Sequence, residues 1–166
     1  MPGIARPMKD GGYEIIAGHR RRHACEFVGL TTMPMFIRDY TDDEATIIMV
    51  DSNIQREDIL PSEKAKAYFM KYEAVKHQGK KGKGNSLDEV GETAGESAKT
   101  VQRYIYLARL SDALLDMVDK KKIGIVQGVE LSFLTEQQQE WVQVVLEETG
   151  VIISTAQASK LSLIHI

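Results

Sequence analysis

The stretch SLDEVGETAGESAKTVQRYI, residues 86–105, constrains the fold more than any other part of this chain. Ser86 and Glu89 have the spacing of a capping box, which starts a first helix there. Val90 and Ala94 give that helix a buried stripe. Gly95 falls where a tight turn between two helices needs a permissive backbone. Ser97 can cap a second helix, and Val101, Tyr104 and Ile105 at helical spacing would dock it. Ser97 at the helix start, with Ala98, Lys99, Thr100, Gln102 and Arg103 on the outward face, are then short, polar or basic groups. Such groups suit base edges and phosphates in a DNA major groove. An ordinary pair of amphipathic helices has the same pattern, so the stretch fixes a helix-turn-helix shape more firmly than it fixes DNA binding.

A second motif lies upstream. In GYEIIAGHRRRHA, residues 12–24, Tyr13, Ile15 and Ala17 alternate as in a short strand, and Gly18 opens a segment carrying Arg20, Arg21 and Arg22. A glycine turn into a helix offers free backbone N–H groups and a positive dipole end, and arginines there can grip phosphate in a bidentate way. The segment is a candidate phosphate or nucleotide site. A solvated basic turn would look the same.

The third motif is SNIQREDILPSEKAKAY, residues 52–68. The strand-glycine-arginine box, the Asn-x-Gln-Arg…Pro-x-Glu box and the helix-turn-helix, in this order and at this separation, resemble the ParB family of DNA-partition proteins, which has sporulation and nucleoid-occlusion relatives. The resemblance covers roughly residues 2–135, and its finer features are similar to partition proteins of plasmids and integrative elements in Gram-positive bacteria. It implies a nucleotide-operated DNA clamp. Such proteins bind CTP with magnesium, recognise a palindromic centromere-like site on double-stranded DNA, close as a dimer and stimulate a ParA-like partner ATPase. On this chain the resemblance assigns Gly18, His19, Arg20 and Arg21 to the phosphate-gripping box. It assigns Asn53 to magnesium and makes Gln55 and Arg56 the rest of the nucleotide set. A triphosphate needs several cationic donors, and magnesium favours oxygen ligands such as an amide carbonyl.

The departures matter. The family usually reads Gly-Glu-Arg-Arg where this chain has Gly18-His19-Arg20-Arg21, and its later arginine is His23 here. The glutamate that usually precedes the asparagine is Ser52, and a serine cannot serve as a carboxylate base. Asp51 is one position away, but on a helix it points elsewhere by about 100°. The resemblance therefore supports nucleotide binding more than hydrolysis.

Composition bounds the alternatives. Charged residues are 27% and hydrophobic residues 43%, which suits a globular chain rather than a disordered one. The net charge of −3 does not advertise a nucleic-acid binder, so its distribution has to. Lys76, Lys80, Lys81 and Lys83 cluster before the helix-turn-helix as candidates for sequence-independent DNA contact, while Glu136, Glu140, Glu147 and Glu148 load the C-terminal part with acid. The lone Cys25 excludes an intrachain disulfide, suits a reducing cytoplasm and is expected on the buried face of the helix after Gly18. No membrane-spanning run or signal peptide is visible, so the expected location is cytoplasmic, on a nucleoid or plasmid. His19 and His23 can share a helix face but have no cysteine or carboxylate at metal-ligand spacing.

The expected architecture is α+β. A mixed N-terminal nucleotide-binding domain (1–60) precedes an all-α helix-turn-helix domain (61–160). Strands are expected at 3–7 and 13–17 around a Lys9-Asp10-Gly11-Gly12 turn, then a helix at 18–29 and a strand at 33–38. Thr41 and Glu44 cap a helix with Ala45, Ile48 and Met49 inward. Pro61 starts a long helix whose stripe is Ala65, Tyr68, Phe69, Tyr72 and Val75. Residues 79–85 read as a flexible basic connector, and helices follow near 111–120, 126–134 and 135–148, the last capped by Thr135 with Gln138 and placing Trp141, Val144 and Val145 in the core. The chain is expected to be a fragment truncated at both ends, starting inside a region shared by the family and stopping before a dimerisation domain. The final LSLIHI, residues 161–166, is expected to be foreign, since one codon choice for it matches a transposon-end sequencing adapter; a genuine helix end, with Leu161 and Ile164 on one face, is the alternative. Two other functions fit parts of the pattern. A helix-turn-helix transcriptional regulator without nucleotide dependence leaves both upstream boxes unexplained. A sulfiredoxin-like or kinase-like enzyme of the same superfamily also remains, but sulfiredoxin-like chemistry needs a reactive cysteine, and an inward Cys25 argues against it.

Overall fold

The computed structural model describes residues 2–56, 58–78 and 86–163. It is α+β: a small sheet at the N-terminus, then helices. Strand β1 (Gly3–Pro7) pairs antiparallel with β2 (Tyr13–Ala17) and parallel with β3 (Met35–Ile37), giving the order β2-β1-β3. The Lys9–Gly12 turn closes the hairpin through Met8 N–H donating to the Gly12 carbonyl at 3.1 Å. Arg6 sits opposite Glu14 and donates to it at 2.6 Å, and its other arm pairs with Asp42 at 2.6 Å, so the hairpin is tied to the start of the next long helix. The expected strand at 33–38 shortens to three residues because Pro34 cannot donate to a ladder.

Between β2 and β3 lies α1 (His19–Phe27), which buries none of its residues. Cys25 is half-buried rather than inward, lining with Arg22 and Glu26 a cavity of about 360 Å³ against the sheet. The helix α2 (Asp42–Ile54) is capped as expected: Glu44 N–H donates to Thr41 Oγ1 at 3.2 Å, and Thr41 N–H donates back to Glu44 Oε2 at 3.0 Å. Its buried line is Ala45, Val50 and Ile54, with Ile48 and Met49 only half-buried.

The long helix α3 (Pro61–His77) is the spine. It packs on α2, on the helix-turn-helix pair α4 (Ser86–Glu92) and α5 (Ala98–Leu107), and on α6 (Asp112–Asp119). Two apolar cores flank it. One joins Val50 and Ile54 of α2 to Tyr68 and Val75 of α3, Val90 of α4 and Val101 and Ile105 of α5. The other joins Ala65 to Leu107, Leu114, Leu115 and Val118, and to Leu131 of α7 (Ile125–Leu131). The N-terminus of α3 meets a carboxylate from the end of α6: Asp119 accepts from Ser62 N–H at 2.9 Å and from Ser62 Oγ at 2.5 Å, satisfying free helix-end donors.

Two faces differ from expectation. On α3, Phe69 is exposed and Lys71 is buried instead, because Lys71 finds a carboxylate on α2 and a hydroxyl near α4. On α8 (Glu136–Thr149), Thr135 and Gln138 form the expected cap, but Trp141, Val144 and Val145 are exposed. This helix turns the polar Gln139 inward, where its amide accepts from Ser111 N–H at 2.8 Å and donates to the Leu134 carbonyl at 3.2 Å. Trp141 and Val145 line an open groove of about 310 Å³ with Leu146, Ile153 and Leu161. A further helix, α9 (Thr155–Leu163), was not expected as a separate element. Ala158 is fully buried, and Ser162 Oγ donates to Glu130 Oε2 at 2.9 Å. Residues 164–166 of the suspected tail lie outside the described residues.

The α4–α5 turn is sterically tight. A Cβ on Gly91 would stand 2.3 Å from the Glu96 carbonyl oxygen and 3.0 Å from Val101 Cγ2, both fixed by the turn. Gly91→Ala should therefore destabilise the fold by about 1–3 kcal/mol, measured as a lower urea midpoint at unchanged slope. A midpoint equal to wild type would show that the turn relaxes freely.

Candidate functional site

The helix-turn-helix is built locally as the spacing predicts, with one shift: Ser86 is the first residue of α4, so the cap position falls on residue 85, outside the described residues. Gly95 takes φ +65°, the left-handed turn. Ser97 caps α5 by accepting from Thr100 N–H at 3.3 Å. Val101 and Ile105 are buried, Tyr104 half-buried. Of the expected outward residues, Ser97, Lys99, Gln102 and Arg103 are exposed, but Ala98 and Thr100 are half-buried, with Thr100 Oγ1 held 3.0 Å from Ser97 Oγ. The exposed row is therefore Lys99, Gln102 and Arg103, at i, i+3 and i+4 on one face.

That row continues beyond Arg103 to Tyr106 and Arg109. Gln102 donates to the Tyr106 hydroxyl at 3.2 Å, and the Arg109 guanidinium lies 4.9 Å from the Tyr106 ring centre. Continuing the i+3/i+4 series past Arg103 would have found both. The segment from Ala98 to Leu107 carries no carboxylate, so the face is basic even though the chain is acidic overall. Lys80, Lys81 and Lys83 lie outside the described residues. Lys76 is exposed, 3.4 Å from Glu73 and 5.3 Å from the Tyr72 ring centre.

The turn itself is anchored on α3. Lys64 pairs with Glu96, and its ammonium sits 5.0 Å from the Tyr104 ring centre. The Tyr68 hydroxyl and Glu96 Oε2 are buried beside this pair, near enough to interact electrostatically but without forming a hydrogen bond. Burial first, and the Glu96 charge second, push the Tyr68 phenol well above its ordinary pKa.

At the other end, Gly18 is the N-cap of α1 with φ +114°, and a Cβ there would meet the Gly3 Cα at 3.1 Å. Only glycine fits both the left-handed backbone and the approach of β1. No side chain caps this helix and no acidic residue stands in its first turn. His19, Arg20 and Arg21 are exposed; Arg21 donates to the Pro2 carbonyl at 2.6 Å, which ties it to the strand end. Arg22 is instead paired with Glu26 at 2.8 Å.

The Asn-x-Gln-Arg box ends α2. Asn53, Gln55 and Arg56 are exposed, and α2 packs on β2, the strand that leads into Gly18. Ser52 Oγ donates to the Met49 carbonyl at 2.8 Å, and the Asp51 carboxylate accepts from Lys71 at 2.5 Å. Neither is poised to activate water. Among the described residues no group of three or more His, Cys, Asp or Glu is placed to hold a metal. Asn53 and Gln55 each expose an amide oxygen of the kind that could serve as a hard ligand. A single such donor fits magnesium, which keeps waters and takes its other oxygens from phosphates. No helix among the described residues is long and apolar enough to cross a membrane.

Comparison with known proteins follows the same layout. A family model described as the ParB N-terminal domain matches residues 1–54, ending with α2. A probable chromosome 1-partitioning protein ParB of Deinococcus radiodurans is 32% identical over 159 residues, covering 96% of this chain and 52% of that protein. The chromosome-partitioning protein Spo0J of Thermus thermophilus is 30% identical over 157 residues, covering 95% of this chain and 55% of its own length. The chain thus spans about half the length of the curated relatives it matches. The C-terminally truncated ParB of Caulobacter crescentus, solved with the centromeric parS site, superposes with a TM-score of 0.56 at 22% identity, over 98% of this chain and 82% of that one, and so shares the fold. The match along nearly the whole chain, through both upstream boxes and the helix-turn-helix, identifies the chain as a member of the ParB family.

Proposed function

We propose that this protein is a sequence-specific DNA-binding partition protein that binds CTP with magnesium and closes on DNA as a dimer. The observation that carries the reading is α5: docked on its inner face by Val101 and Ile105, it leaves Lys99, Gln102 and Arg103 exposed with no carboxylate among them. Gln and Arg at that spacing suit adenine and guanine edges, and Lys99 and Arg109 suit phosphates. The arginine box supports the nucleotide half. Arg20 beside the open N-terminus of α1 offers cation and backbone donors together, which is what a triphosphate requires. The two relatives named above are both chromosome-partitioning proteins, which supports a role in segregation of a chromosome, plasmid or mobile element, with a ParA-like ATPase as partner.

Base contact and phosphate contact separate by experiment. On a duplex selected from a random library, Arg103→Ala should cost about 1–3 kcal/mol on the selected site and little on random DNA. Arg109→Ala should weaken both equally and flatten the salt dependence by about one unit of slope. Equal loss on both duplexes for Arg103→Ala would remove it from the recognition set. For the nucleotide, Arg20→Ala should abolish the calorimetric signal of CTP-magnesium while circular dichroism stays native; unchanged affinity would sink the assignment. Turnover should be very slow, because Ser52 is committed to a backbone carbonyl and Asp51 to Lys71. Ser52→Glu should raise the rate of phosphate release by restoring a carboxylate base. If wild type already matches that variant, another group is the base.

A further inference from the structure

Lys71 is the one charged side chain fully buried among the described residues. Its ammonium donates to Asp51 Oδ1 at 2.5 Å and to Thr93 Oγ1 at 3.1 Å. Asp51 immediately precedes Ser52 and Asn53 in the last turns of α2, and Thr93 lies just past α4, in the turn of the helix-turn-helix. One buried cation on α3 therefore joins the end of the Asn-x-Gln-Arg helix to the turn that sets the angle of α5.

Stability alone does not explain this arrangement. A buried ion pair gains little over a well-packed apolar pair, whereas one that loses a partner is costly. The ammonium has three donors and two recorded acceptors, so it has no slack to give up either. A shift in the last turns of α2 must carry Lys71 with it, and so draw on Thr93, or leave a bare charge in the interior. Lys64 holds Glu96, on the far side of the same turn, from the same helix. The turn is thus gripped from α3 at two points, one of which also reaches α2.

We propose that Lys71 is a positioning residue that couples occupation of the Asn53 box to the conformation of the helix-turn-helix. The proposal rests on the nucleotide reading of that box. A ligand that draws on Asn53 moves the backbone next to Asp51, the Asp51–Lys71–Thr93 chain transmits the change, and DNA at α5 acts back on the nucleotide by the same factor.

The test is hydrogen exchange on the whole chain with and without saturating CTP-magnesium, with calorimetry on the same samples. In wild type, CTP-magnesium should change the exchange of amides in residues 90–107 by about fivefold or more, with α8 unaffected. Thr93→Val cuts the link at the helix-turn-helix and leaves Asp51 paired. Asp51→Leu with Lys71→Met replaces the whole ion pair by an apolar one and guards against loss of folding in Lys71→Met alone. Both should bind CTP-magnesium within about threefold of wild type and lose the exchange response. If both bind and keep the wild-type response, the coupling role of Lys71 is overturned while the nucleotide site stands. If wild type gives no binding signal, the nucleotide reading itself fails, and this proposal with it.

Discussion

The packing of α3 against its neighbours is the constraint on which the rest depends. Ala65 and Tyr68 are fully buried one turn apart, the small residue facing the α6–α7 core and the large one facing α2, α4 and α5. Had α3 been rotated by a residue, both cores would have opened at once, because each takes a fully buried side chain from this helix. The polar ties follow the same axis: Ser62 to Asp119, Lys64 to Glu96, Lys66 to Asp112 and Lys71 to Asp51 and Thr93. Along α3 they reach both ends of α6, the turn between α4 and α5 twice, and α2 once. The exposed Lys66–Asp112 pair adds little, being screened by water, although Lys66 does hold the Asp112 carboxyl below its usual range.

This arrangement makes α2 ambiguous in a useful way. In the chain it belongs to the N-terminal segment, and it packs on β2. In space its Val50 and Ile54 complete the core that docks the helix-turn-helix. The arginine box on α1 has no such support, since α1 buries nothing. One box is therefore tied into the helical body through the core that docks the helix-turn-helix, and the other stands on an element that buries none of its residues.

The charge pattern is equally divided. The net charge is −3, yet α5 carries no carboxylate, while α4 carries Asp88, Glu89 and Glu92 and α8 carries Glu136, Glu140, Glu147 and Glu148. A polyanion approaching α5 meets Lys99, Arg103 and Arg109 before it meets the acidic end, so a mildly acidic chain can still present a local basic surface.

Local signals were legible in the sequence where the physics is local. The Lys9–Gly12 hairpin, the Thr41 and Thr135 capping boxes, the Gly95 turn, the Ser97 cap and the inward Val101 and Ile105 all depend on residues within four positions of each other. The features that only the tertiary structure decided depend on distant partners. Lys71 is buried because Asp51, 20 residues before it, and Thr93, 22 residues after it, arrive beside it. Asp51 is withdrawn from chemistry by the same contact. Trp141 and Val145 are exposed because α8 turns Gln139, Val142 and Leu146 toward the core, where Gln139 finds three partners. Periodicity says which side of a helix is apolar; which neighbour, if any, covers that side depends on long-range packing that periodicity does not encode.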